Sequence, residues 1–196
     1  MTAALDDETG VAPGGDLAAG RLVLVVGPSG VGVDTLIDAA RREFGADPHF
    51  HFVRRTITRP AGSVGEEHDP IDIRAFRERR ENAGFALAWE AHGLGYGIPL
   101  SINDHLRQGR TVVVNASRTV IEEARGRYPN LTVASVTASP AILAQRLAGR
   151  NRETAEEIER RLERAGLGFP DGDDVVTIDN DGALDVSVQA FLDLLR

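Results

Sequence analysis

The stretch Gly27-Pro28-Ser29-Gly30-Val31-Gly32-Val33-Asp34-Thr35 carries the clearest chemistry in this chain. Before it, Leu22 to Val26 form an apolar run too short for a helix, which reads as a buried parallel strand. After it, Leu36, Ile37, Ala39 and Ala40 recur at helical spacing. Strand, glycine-rich turn and helix together are the setting of a phosphate-binding P-loop. Gly27, Gly30 and Gly32 let successive backbone N–H groups turn inward, and the helix N-terminus adds partial positive charge. The pattern G-x-x-x-x-G-K-[ST] is met at Gly27 and Gly32 and then broken. Val33 stands where a lysine would reach the β- and γ-phosphates, and Asp34 where a hydroxyl would meet magnesium.

No lysine elsewhere can compensate, because all 22 basic residues are arginine. A triphosphate bound at this loop therefore lacks one charge-assisted contact, and any replacement must come from arginine, magnesium or backbone. Two regions offer arginines. Arg54, Arg55 and Arg59, with Thr56 and Thr58, precede a Gly/Pro-containing loop and could clamp an anion or form a solvated turn. Arg146, Arg150, Arg152, Arg160, Arg161 and Arg164 alternate with glutamates, the pattern of i,i+4 pairs on a solvated helix. Around Asn151 the pattern suggests a break between two helices, where arginines could swing over a nucleotide as a lid.

The elements that must position these groups follow from periodicity. Residues 1–20 lack any periodic apolar pattern and read as a flexible tail. His49–Val53 reads as a strand whose histidines lie on one half-exposed face, rather than as a metal site. Residues 71–81 suggest a short surface helix, and Phe85–Glu90 and Tyr96–Ile98 short strands around a turn at 92–95. Together, 55–98 read as a small inserted substrate lobe rather than core. Thr111–Asn115, Leu131–Val136 and Val175–Ile178 are further strands; helices are expected over 103–108, 118–127, from Ser139-Pro140 onward and at the C-terminus. Alternating strands and helices predict an α/β fold, a parallel sheet of about five strands with helices on both faces. Asn115 ends its strand where ligands gather in such sheets.

Composition narrows the function classes. The chain has no cysteine, which removes thiol chemistry and disulfides. Its net charge of −8 argues against broad nucleic-acid binding. No apolar run approaches a membrane span, and the first residues lack a signal pattern, so a cytoplasmic location is expected.

The order P-loop, Ile57-Thr58-Arg59, Tyr96-Gly97-Ile98, Val114-Asn115-Ala116-Ser117-Arg118, an R-L-x-x-R at Arg146 and Arg150, and Asn180-Asp181-Gly182 resembles the guanylate-kinase-like branch of the P-loop nucleoside monophosphate kinases. Within it the chain looks like the ribose 1,5-bisphosphate phosphokinases of phosphonate catabolism, a likeness carried also by Asp34, Glu67-His68, Leu87-Ala88-Trp89 and Gly93-Leu94-Gly95. It covers about 21–196. At the positions where guanylate kinases hold the guanine base or its phosphate with polar groups, this chain has Leu87, Asn115 and Gly62. A pocket that hydrogen-bonds guanine cannot exchange its acceptors for leucine without leaving the base unpaired.

The resemblance implies a P-loop kinase domain over 21–196, with a substrate lobe at 55–98 and a helical lid at about 148–156. The activity implied is transfer of the ATP γ-phosphate to ribose 1,5-bisphosphate, giving 5-phosphoribosyl 1-diphosphate. By this likeness the ATP site comprises Gly27, Pro28, Ser29, Gly30, Val31, Gly32, Val33, Asp34, Thr35 and Asn180. Arg59, Tyr96, Asn115 and Arg118 would hold the acceptor, and Arg59, Arg146, Arg150 and Arg161 would serve catalysis. Mg²⁺ would come with ATP and touch Asp34 or Thr35. No nucleic-acid or membrane partner is expected, and the likeness allows for a homodimer. The competing readings are a nucleoside monophosphate kinase, and a nucleotide-binding protein whose catalysis is weakened at Val33.

Overall fold

The computed structural model describes residues 16–60, 62, 66–148 and 168–196. A five-stranded parallel sheet is built from β1 (Arg21–Val26), β2 (Phe50–Phe52), β7 (Thr111–Asn115), β8 (Leu131–Thr137) and β9 (Val175–Asp179), in the order β2-β7-β1-β8-β9. Strand β1 lies at the centre and is buried on both faces, which is why its sequence is continuously apolar rather than alternating. Leu22, Leu24 and Val26 face one core with Val112, Val114, Ile121 and Ala124. Val23 and Val25 face the other, with Leu36, Ile37, Phe191 and Leu195. The first core is covered by α3 (Ile102–Arg107) and α4 (Ile121–Arg127). The second is covered by α1 (Val33–Phe44), α5 (Pro140–Ala148) and α6 (Leu184–Leu195). Helices on both faces of a parallel sheet are as the sequence predicts.

Register fixes where the strands end. Val25 pairs with Asn115, Val26 with Ser135, and Thr137 with Asp179. The carboxyl ends therefore form one edge, and the turn after β1 opens onto it.

A second sheet holds β3 (Thr56–Ile57), β4 (Asp69–Pro70), β5 (Phe85–Ala91) and β6 (Leu94–Pro99), in the order β4-β3-β6-β5. The β5–β6 hairpin turns on His92 and Gly93, both at positive φ (53° and 73°), the geometry a two-residue hairpin loop requires. Helix α2 (Ile73–Glu81) is capped by Asp72, whose side chain accepts from the N–H groups of Arg74 and Ala75. It fastens to the hairpin through Phe76, fully buried against Phe85 and over Gly95, where a Cβ would clash with the Phe76 ring.

Three expectations need adjustment. The lobe is not separate from the core: Ala86, Leu87, Trp89 and Ile98 join the cluster beneath β1. The two-residue strands β3 and β4 lie in what reads as an arginine-rich turn and loop. The expected tail, 1–20, ends earlier, because Leu17–Ala19 form a 3₁₀ turn capped by Asp16 and Leu17 packs on the first core. Gly20 is buried there, with no room for a Cβ against the carbonyls of Leu106 and Arg110. Residues 1–15 and most of the expected lid at 148–156 lie outside the described residues. No described helix is long and apolar enough to cross a membrane.

The rings of His51 on β2 and His105 on α3 stack at 3.6 Å, with Arg110 Nη1 3.2 Å from His105 Nδ1. Burial first, then His105 and Arg110, push the His51 imidazole down from 6.5 to about 4. His105 is lowered as well, by burial and Arg110 against the opposing pull of Asp104. The folded chain thus binds fewer protons than the unfolded chain. This contribution is full above pH 6.5 and is lost as the pH falls toward about 4. Thermal melts across that window should show the melting temperature of the native chain falling more steeply than that of His51→Phe. Parallel curves would remove the pair from the acid response.

Candidate functional site

A cleft of about 250 Å³ opens at the carboxyl edge of the main sheet, between the turn after β1 and the lobe. Its floor is the glycine turn. Gly30 and Gly32 adopt φ of 88° and 102°, and Gly32 caps α1 from the left-handed region without a side chain. Gly27 has no room for a Cβ, which would lie 2.8 Å from the Val136 carbonyl. Val31 is fully buried and anchors the loop in the core, and its N–H donates to the Pro28 carbonyl at 3.1 Å. The loop residues Ser29, exposed, and Gly30 and Gly32, half-buried, line the cleft with Val33, Asp34 and Thr35.

The loop is braced from behind. Asn180, 1% exposed, donates from Nδ2 to the Val31 carbonyl at 2.7 Å and accepts from the Ser187 hydroxyl at 2.6 Å. Arg146 donates to the same Val31 carbonyl at 3.3 Å and to the Asn180 carbonyl at 2.8 Å. Both residues, expected at the nucleotide or the transferring phosphoryl group, here support the cradle without lining it. Arg150 and Arg161 lie outside the described residues.

At the front, Asn115 Nδ2 donates to Asp34 Oδ1 at 2.7 Å, joining the end of β7 to the first turn of α1. Val33 lines the cleft and packs on the second core, contributing no donor. Asp34 and Thr35 offer a carboxylate and a hydroxyl at the cleft, the hard oxygen donors that Mg²⁺ takes. Among the described residues no group of three or more metal-binding side chains occurs.

The lobe side holds an arginine that the sequence places only in a group able to clamp an anion or form a solvated turn. Arg55 is 11% exposed and lines the cleft. Its Nε donates to Glu66 Oε2 at 3.1 Å, its Nη2 to Glu66 Oε1, and its Nη1 to the Asn115 carbonyl at 3.3 Å. Its guanidinium carbon lies 5.0 Å from the Tyr96 ring centre and 5.7 Å from that of Trp89. Those rings stack within 4° of parallel. Tyr96, expected at the acceptor, is thus at the cleft; Trp89, His92 and Ser117 also line it and are additions. The only sequence signal for Arg55 is its place in the arginine run, which does not distinguish it from Arg54.

Arg59 lies off this cleft. It lines a second depression with Thr58, Pro60 and residues 70–73. Its Nη2 is 3.5 Å from the Glu66 carbonyl and 3.4 Å from His68 Nδ1, while its Nε is buried without a partner among the described residues. Arg118 Nη1 donates to the Gly168 carbonyl at 3.3 Å, and Arg118 is not among the cleft-lining residues. Leu87 is 1% exposed and belongs to the core, so no acceptor stands there.

The chain is similar in sequence to a ribose 1,5-bisphosphate phosphokinase of Acidiphilium cryptum, with 51% identity across 90% of this chain and 92% of that protein. A protein of the same name from Brucella melitensis is 47% identical, again across 90% and 92%. A bifunctional ribose 1,5-bisphosphokinase-thymidine phosphorylase of Cupriavidus pinatubonensis is 46% identical over 90% of this chain, which spans 29% of that longer protein. No family model matches. Among solved structures, a guanylate kinase of Anaplasma phagocytophilum superposes with a TM-score of 0.63 over 90% of this chain and 85% of its own. At 14% identity, that likeness speaks to the fold.

Because the Asn180 amide satisfies a buried carbonyl of the phosphate turn, Asn180→Ala should cost about 1–3 kcal/mol in denaturant unfolding. Nucleotide affinity measured by calorimetry on the folded variant should fall with it. Unchanged affinity would mean that the turn keeps its shape without the brace.

Proposed function

The chain belongs to the ribose 1,5-bisphosphate phosphokinase family, and on that premise we propose that it transfers the γ-phosphoryl group of ATP to ribose 1,5-bisphosphate, forming 5-phosphoribosyl 1-diphosphate and ADP. The observation that carries the reading is a backbone phosphate cradle facing an arginine on an aromatic wall across one cleft. An oxygen of the acceptor's 1-phosphate forms a bond to Pγ, while the bond from Pγ to the β,γ-bridging oxygen breaks and its electron pair leaves with ADP. The attacking oxygen is already ionised, so no general base is required. The work of the protein is to hold two polyanions in line and to offset their charge.

The turn from Gly27 to Gly32 and the N-terminus of α1 are assigned to the ATP phosphates, whose oxygens the backbone N–H groups can meet. Mg²⁺ bound with ATP would offset charge on the phosphates, with Asp34 and Thr35 as its protein contacts. Tyr96 and Asn115, which line the cleft, are assigned to the acceptor; Arg59, which lines the second depression, and Arg118, which does not line the cleft, are not. Arg146 acts through the loop that it braces, which makes it a positioning residue, and Arg150 and Arg161 are assigned to the transferring group.

Substrate choice tests the reading. With Mg-ATP and either ribose 1,5-bisphosphate or GMP, products resolved by charge should include a diphosphate from the sugar and no GDP. The buried Leu87 gives guanine nothing to pair with. Efficient GMP phosphorylation would return the chain to the nucleotide kinases.

Val33 favours a second reading, a nucleotide-binding protein with slow turnover. Loss of one preorganised charge stabiliser typically costs about 10²–10³-fold in rate, which lowers activity without abolishing it. Val33→Lys should therefore raise kcat by roughly 10²-fold at equal Mg-ATP, provided the lysine stabilises charge as such donors do. ADP affinity should move much less, since backbone donors carry the diphosphate. A folded Val33→Lys that turns over no faster would mean that another group already fills the role.

A further inference from the structure

We propose that Arg55 binds the phosphate of the acceptor that receives the phosphoryl group, and that Glu66 is the positioning residue that sets the plane of its guanidinium. The proposal rests on the substrate reading above and assigns it a specificity-determining residue.

The first argument is electrostatic. Among the described residues that line the cleft, Arg55 is the one arginine, and Val33 removes the side-chain cation expected on the opposite wall. A polyanion entering there meets backbone N–H groups on one side and Arg55 on the other. The carboxylate of Asp34 also lines the cleft, and Arg55, though paired with Glu66, is the permanently charged cation on its wall among the described residues.

The second argument counts donors. A guanidinium has five N–H groups. The bonds to Glu66 use one each on Nε and Nη2, and the bond to the Asn115 carbonyl uses one on Nη1. Among the described residues two remain without a partner, one on each terminal nitrogen, and two donors suit the bidentate recognition of a phosphate. Glu66 therefore holds Arg55 without consuming it. Stacking on Tyr96, itself parallel to Trp89, fixes the plane from a second direction.

The third argument concerns cost. Arg55 and Glu66 are 11% and 18% exposed, and a pair so withdrawn from water could be replaced by apolar residues with little loss of stability or a gain. Packing does not explain an ion pair at that place; recognition of an anion does.

Which phosphate is involved follows from position. Arg55 donates to the carbonyl of Asn115, whose side chain donates to Asp34 in the first turn of α1. Arg55 thus stands at the seam between lobe and P-loop, where the acceptor oxygen must approach Pγ. The proposal puts the phosphate on C1, the one that attacks Pγ, at that seam and the one on C5 away from it.

The test is calorimetric binding of ribose 1,5-bisphosphate, ribose 5-phosphate and Mg-ADP to the native chain, Arg55→Gln, Arg55→Lys and Glu66→Gln, with folding checked by melting. Arg55→Gln should weaken the bisphosphate about 10- to 100-fold, the scale of a charged hydrogen bond, and leave ribose 5-phosphate and Mg-ADP unchanged. Arg55→Lys keeps the charge without the fork, so it should retain most of the loss, and it serves as the readout should Arg55→Gln melt early. Glu66→Gln should raise the acceptor KM more than it lowers kcat and add nothing in the Arg55→Gln background, as coupled residues do. Equal weakening of both sugar phosphates, a matching loss of Mg-ADP, or unaltered bisphosphate affinity each overturns the inference while the substrate reading stands. A native chain that binds no bisphosphate but does bind GMP overturns both.

Discussion

The hydrogen bond from the Asn180 side chain to the Val31 carbonyl is the constraint on which the site depends. Without a lysine in the phosphate loop, anion binding there rests on the directions of backbone N–H groups, and those directions are only as fixed as the turn. The turn is held by a buried valine in front and a buried amide behind, and the amide is itself fixed by the Ser187 hydroxyl from α6. Arg146 adds a second donor to the same carbonyl from α5. Segments distant in sequence thus converge on one peptide group. A network of buried and half-buried hydrogen bonds of this kind is costly to distort, which is what a cradle made of main chain needs.

A second chain of bonds ties the lobe to that cradle. Glu66 holds Arg55, Arg55 reaches the carbonyl of Asn115, and the Asn115 amide reaches Asp34 on α1. Because Asn115 pairs with Val25 on β1, the lobe is referenced to the same strand that leads into the phosphate turn. The joint position of donor and acceptor is set through one strand end, and a small misplacement there would be felt as loss of alignment at the reacting atoms.

The sequence made the main sheet legible for a physical reason: strands buried on both faces are short apolar runs, as Leu22–Val26 and Val112–Val114 are, and as Val133–Val136 is but for the buried Ser135. The phosphate turn was legible because its glycines answer a backbone demand, met at Gly30 and Gly32 by positive φ. The two-residue strands β3 and β4 were not, since they exist through pairing with each other and with β6, and two residues have no period. Leu17 and Gly20 read as tail because burial beneath α3 depends on a helix eighty residues away. Among the arginines, type and spacing could not separate Arg55 from Arg59 or from Arg146. The difference between a cleft residue and a brace is made by Glu66, Tyr96 and Asn180, which are remote in sequence from the arginines they direct.

The charge pattern of the cleft bears on rate more than on binding. Backbone N–H groups meet the phosphates of bound ATP and of its transition state in much the same way, so they contribute mainly uniform binding. Acceleration requires groups that gain interaction as charge moves from the γ-phosphoryl toward the bridging oxygen, and Val33 offers none. Among the described residues that line the cleft, the cation proposed for the reacting centre is Arg55, from the acceptor side. A site built this way holds its donor by geometry and depends on its acceptor to bring the second substrate under a fixed cation. On the proposed assignment, part of the burden of transition-state stabilisation moves from the phosphate loop to the lobe. Substitutions at the acceptor wall, like Val33→Lys in the P-loop, should therefore separate kcat from nucleotide affinity.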